Sequence, residues 1–157
     1  MRNHIVRLAI LAAIAFAATP AAACRVYRMA DIADIEQADL VVEGRISDYA
    51  IIGGAANMIS YARFDVLVDD VLKGERREKV AVTWDNSTFG IPEKMVADPV
   101  LIALRYPVSE TSLHAQTVIS ANADRGVFTV LQRPCAQAFI FKKDDVQAAA
   151  VRQMLRR

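Results

Sequence analysis

From residue 39 onward, apolar and polar positions alternate mostly with a period of two, the signature of half-buried strands. Before that, "MADIADIEQAD" sets Ile32, Ile35 and Ala38 at helical spacing, so a short amphipathic helical segment is expected to lead into the first strand, "LVVEGRI". Gly53 and Gly54 supply a reversal. In the next run, "MISYARFDVLVDDVLKGE", Phe64, Val66 and Val68 share one face, and Tyr61, Arg63, Asp65, Leu67 and Asp69 share the other. Lys73 and Gly74 end that strand in a tight turn before a third, "KVAVTW". The loop "DNSTFGIPEK" follows, then "PVLIALRYP", whose unbroken apolar stretch from Val100 to Leu104 predicts a central strand bounded by prolines. Short strands are expected in "AQTVIS", "GVFTVLQ" and "QAFIF", and a closing helix over 143–156, with Asp144 and Asp145 at its start, Val146, Ala150 and Met154 on one stripe and arginines at its end. Many short strands joined by frequent loops, with helices confined to the ends, predict a mainly β fold: a small, closed or partly open antiparallel β-barrel, with a short N-terminal helix and a C-terminal helix.

The first residues follow a different pattern. "MRNHIVRLAILAAIAFAATPAAAC" has Arg2 and Arg7 in a basic head, an apolar run from Leu8 to Ala18, and small residues before Cys24. The run is about eleven residues, against the roughly twenty a membrane-spanning helix needs. It reads as an export signal over 1–23, leaving 24–157 as one domain in the periplasm or secreted. A lipoprotein signal usually carries Leu three places before the cysteine, where this chain has Ala21. An outer-membrane lipid anchor at Cys24 is therefore the lesser alternative.

Export changes the charge balance. The full chain has 19 basic and 18 acidic residues, and loss of Arg2 and Arg7 tips it to slightly acidic. That leaves no field to attract nucleic acid or anionic membrane. It also makes the two cysteines, Cys24 and Cys135, candidates for pairing. Such a bond would close a loop of about 110 residues, worth roughly 4 to 5 kcal/mol in the chain-entropy model before native strain is subtracted. The alternative is two separate buried thiols.

Little in the sequence points to chemistry. His114, the one histidine after the signal, stands near Ser109, Glu110 and Ser112, but neighbours on one loop seldom converge into a nucleophile, base and orienter. It reads as an exposed loop histidine. No spacing resembles a metal site and no cofactor motif occurs, so no enzyme activity and no cofactor are expected. "KGERREK" is a mixed-charge turn. In "TWDNSTFG" the single tryptophan, Trp84, sits at a strand end beside Asp85 and Asn86, placed either as a recognition anchor or as a core plug.

Taken together, "ADLVVEGRI", a long second strand ending in "DDVLKGE", "KVAVTW", "VLIALRY" and a late cysteine in "RPCAQ" resemble the secreted netrin-module family, whose barrel is of the oligonucleotide/oligosaccharide-binding (OB) type and whose best-known members are the tissue inhibitors of metalloproteinases. The likeness covers most of the chain from Cys24 to Phe141. It implies an OB-like barrel and, by analogy with the animal inhibitors, a mature N-terminal Cys24 whose free amine and carbonyl chelate a protease zinc. Those inhibitors begin Cys-x-Cys, whereas this chain begins Cys24, Arg25, Val26. The first expectation is therefore a non-catalytic interaction module for an envelope or extracellular protein, with Cys24, Arg25, Trp84, Asp85 and Asn86 as candidate contacts. The alternative is a metalloprotease inhibitor acting through the Cys24 amine.

Overall fold

A computed structural model describes residues 28–53, 60–85, 90–95, 98–106 and 127–157. The described strands are β1 (Leu40–Gly53), β2 (Ser60–Lys73), β3 (Lys79–Trp84), β4 (Val100–Arg105), β5 (Phe128–Val130) and β6 (Ile140–Lys142). A 3-10 helix (Ile32–Gln37) precedes β1, and one α-helix, α1 (Val146–Leu155), follows β6. The strands form one sheet in the order β1-β2-β3-β5-β4-β6, and a further pairing of β1 with β4 closes the first five into a barrel. The fold is mainly β, an OB-like five-stranded barrel with a C-terminal helix.

The sequence pattern explains most of this arrangement. In β1, Leu40 and Val42 point into the barrel while Val41 points outward into a second core. In β4, Ile102 and Leu104 face in, and Leu101 and Ala103 face out beneath the helices. A strand covered on both faces needs no polar positions, which accounts for the unbroken run from Val100 to Leu104. On β2, Ala62, Phe64 and Val66 are buried, alternating with exposed Arg63 and Leu67. The inner core is completed by Val80, Val82, Trp84, Phe128 and Val130. The outer core joins Ile35, Phe139, Phe141, Ala148 and Val151, so the 3-10 helix and α1 both pack on the β1–β4–β6 side.

Several details differ from the sequence expectation. One barrel pairing, β3 with β5, is parallel. The segment before β1 is a 3-10 helix, capped by Asp31, whose side chain accepts from the Ala33 amide at 3.1 Å. The closing helix starts at Val146, not 143. Asp145 is its cap, accepting from the Gln147 amide at 2.9 Å, while the Lys143 amide bonds to the Pro99 carbonyl and so leaves the helix. The late strands shrink to Phe128–Val130 and Ile140–Lys142. The expected strand at 115–120 and the proposed signal lie outside the described residues.

Two departures from regular pairing shape β1. A Cβ on Gly44 would strike the backbone carbonyl of Leu67, so the close approach of β1 to β2 requires glycine there. Further along, Ser47 pairs with Asp65 and Ala50 with Arg63, so Asp48 and Tyr49 oppose the single residue Phe64. This is a β-bulge, with Asp48 in the left-handed region at φ 54. It brings Tyr49 against Phe64, ring centroids 6.1 Å apart, and lets its hydroxyl donate to the Pro92 carbonyl at 2.5 Å. The loop after β3 is thereby tied to the β1–β2 hairpin.

Candidate functional site

Both described helices lie on one side of the barrel and reach β2 at its Leu72–Lys73 end, while no described element covers the outer face of β3, β5 and the Arg63 stretch of β2. Across this wall the ladders align Ala50 with Arg63, Arg63 with Thr83, Thr83 with Thr129, and Thr129 with Arg105. Directly paired residues share a face. Their neighbours Ala62, Phe64, Val82, Trp84, Val130 and Leu104 all point into the barrel, so the row points out. The result is a polar band of two guanidiniums separated by two threonines. Thr83 Oγ1 donates to the Phe128 carbonyl at 3.4 Å.

One strand position away, the charges on the wall neutralise each other. Lys79 meets Asp65 at 2.6 Å and Asp48 at 3.8 Å, and Arg45 meets Asp69 at 3.5 Å. The Arg105 end of the row differs. Burial lowers the Arg105 pKa against the opposing pull of Asp85 and Asp39, and its Nε is buried without a hydrogen bond. Burial likewise raises the Asp85 carboxyl, only partly offset by a backbone hydrogen bond and by Arg105. Asp39 Oδ2 is engaged elsewhere, accepting from the Tyr106 amide at 2.7 Å. Tyr106, 49% exposed, stacks on Phe128 with centroids 4.5 Å apart, and the Arg77 guanidinium lies 5.2 Å from the Phe128 centroid.

Of the residues singled out from the sequence, Trp84 and Asp85 separate onto opposite faces. Trp84 is 7% exposed within the inner core, and its indole N–H donates to Gln132 Oε1 at 2.8 Å. It is a core plug, so its ring is not an anchor on the surface. Asp85 follows it and lies near Arg105. Gln132 also donates to the Ala136 carbonyl at 2.8 Å, linking Trp84 to the turn that carries Cys135, a residue in the left-handed region at φ 62. Beside that turn the Arg28 amide donates to the Cys135 carbonyl at 3.2 Å, and the Gln137 amide donates to the Arg28 carbonyl at 2.9 Å. Cys24, Arg25, Asn86, Ser109, Glu110, Ser112 and His114 lie outside the described residues.

Sequence reasoning missed Arg105, whose signal was a charge closing an apolar run, and Glu43, a charge inside one. Glu43 is buried under α1, where Lys143 Nζ reaches it at 2.8 Å and Arg152 Nε at 2.5 Å. Burial pushes its carboxyl up, but hydrogen bonds and charge from Lys143 and Arg152 outweigh that and hold it below its ordinary value. The adjoining shallow cleft, ≈ 560 Å³, is lined by Asp98, Lys142, Lys143 and Arg152 among others. Each of its cations already has an acidic partner, Lys142 with Asp98 at 3.0 Å and the other two with Glu43. That cluster fastens the helix to the barrel.

Among the described residues no group of three or more His, Cys, Asp or Glu side chains is placed to hold a metal ion, and no helix is long and apolar enough to cross a membrane. Set against family models, curated proteins and solved structures, the chain matches none.

Proposed function

We propose that the chain is an exported, non-catalytic interaction module whose partner, an envelope or extracellular protein, docks on the β2–β3–β5 wall. The observation that carries this reading is the placement of both described helices on the opposite side, leaving the row from Arg63 to Arg105 uncovered by any described element. Within that row Arg105 is half-buried with an Nε that makes no hydrogen bond, and a polar side chain of that kind at a surface is suited to recognition. In this reading Cys24 pairs with Cys135. Two observations support it: Cys135 is not a free thiol, and the chain at Arg28 is bonded alongside residues 135–137. The bond fastens the start of the mature chain to the barrel, in keeping with the netrin-module likeness.

The test uses the purified protein as bait in envelope extract. A partner held by the wild type should be lost on Thr129→Lys, within the row, and kept on Val146→Lys, an exposed position on α1. Equal retention by both variants defeats the assignment of the wall. Intact mass with and without reductant reports the disulfide as a gain of two hydrogens on reduction, and the same spectrum reports cleavage and any lipid. Adding one alanine before Cys24 tests the inhibitor alternative, because chelation through the α-amine cannot survive it.

A further inference from the structure

Arg105 closes β4 at the end of the exposed row, and its guanidinium is only half accounted for. Its Nε is buried and makes no hydrogen bond, and among the described residues no carboxylate comes within ion-pairing distance. Asp39 and Asp85 act on it through space alone, and Asp39 is held by the Tyr106 amide at 2.7 Å. A guanidinium presents five N–H donors in a planar fork, whose natural complement is a planar group with two acceptor oxygens. The Nε is closed to solvent, so a partner oxygen reaches this guanidinium through its terminal nitrogens. Thr129 stands directly across the ladder from Arg105, so its side chain shares the outer face with the arginine.

We propose that Arg105 is the receptor for a carboxylate of a peptide partner, the partner running along the Arg63–Thr83–Thr129–Arg105 row. The two nearby aspartates select for this class, since a doubly charged phosphate meets more repulsion there than a singly charged carboxylate. The proposal rests on the wall being the interaction surface, and its test is independent of any partner.

The 15N-labelled protein is titrated with acetate at constant ionic strength, following the Arg105 Nε–Hε resonance and the Thr129 amide, with inorganic phosphate as the comparison. The expected result is a saturable shift with acetate, half-complete on the order of tens of millimolar as suits a single small group, with a weaker response to phosphate. Arg105→Lys keeps the charge and loses the fork, so it should abolish the saturable component at Thr129 while the rest of the spectrum stays folded. A flat or merely linear acetate response in the wild type overturns the receptor, as does an equal or stronger response to phosphate. Because the wild-type titration needs no variant to fold, a failed Arg105→Lys preparation leaves the test standing. A flat titration combined with loss of the partner on Thr129→Lys removes the receptor alone, whereas saturation with an indifferent Thr129→Lys removes the interaction reading.

Discussion

Replacing Glu43 by Gln probes the junction between β1 and α1. The carboxylate receives Lys143 at 2.8 Å and Arg152 at 2.5 Å, and Arg152 also donates to the Lys143 carbonyl at 2.5 Å. Breaking a fully buried ion pair costs about 3 to 5 kcal/mol. Here the cations are 47% and 23% exposed and can turn to water, and glutamine keeps an acceptor oxygen, so the expected loss falls to about 2 kcal/mol. For a chain of this size that is a drop in Tm of roughly 4 to 8 °C. Urea unfolding at pH 7 measures it, and a double-mutant cycle with Arg152→Gln should return a coupling of about 1 kcal/mol. The Glu43 carboxyl lies below its ordinary 4.5 in the folded state, so its stabilisation is full above that value and is lost as pH falls through the folded pKa. The gap between wild type and Glu43→Gln should therefore be flat near neutrality and shrink in acid. A variant as stable as the wild type at pH 7, or a gap unchanged at low pH, refutes the reasoning.

Asp34 should show the opposite trend. Burial raises its carboxyl despite the nearby Arg133, with Asp31 adding to the rise, so the wild type loses stability relative to Asp34→Asn as pH rises through the folded pKa; unfolding compared in acid and at neutrality should find the variant faring better at the higher pH. Gly44→Ala drives a methyl into the Leu67 carbonyl and should cost about 3 kcal/mol by urea unfolding, an expectation that fails if the midpoint barely moves. Tyr49→Phe removes the hydrogen bond to Pro92 and should cost about 1 kcal/mol, with faster amide exchange in the loop from Gly90 to Met95; unchanged exchange contradicts that tether.

The parts of the fold that the sequence revealed are those governed by local periodicity. Alternation along β2 marks which side chains enter the barrel, and the run from Val100 to Leu104 marks a strand covered twice. Nonlocal pairing leaves no such trace. The parallel match of Val82 with Phe128 joins residues far apart through a strand of three, too short to carry a rhythm. The bulge was hidden because Asp48, not glycine, takes the positive φ. At the candidate site, Asp85 was legible as a polar residue at a strand end, but Arg105 is 20 positions away and comes within reach of its charge only through the β3-β5-β4 order of the sheet. For Trp84 the sequence left anchor and core plug both open, because nothing local tells which side of a strand end faces in.

The seam between β1 and β4 also sets the order in which the barrel can assemble. β1, β2 and β3 are consecutive neighbours and can zip as a meander, whereas Leu40 meets Leu104 only after more than sixty residues have been looped together. Closure is thus a late, entropically costly event. Until it occurs, the intermediate presents the bare edge of β1, with Leu40, Val41 and Val42 unpaired on the β4 side. That edge is exposed for as long as the seam stays open, so the rate of seam closure, rather than final stability, is expected to govern loss to aggregation.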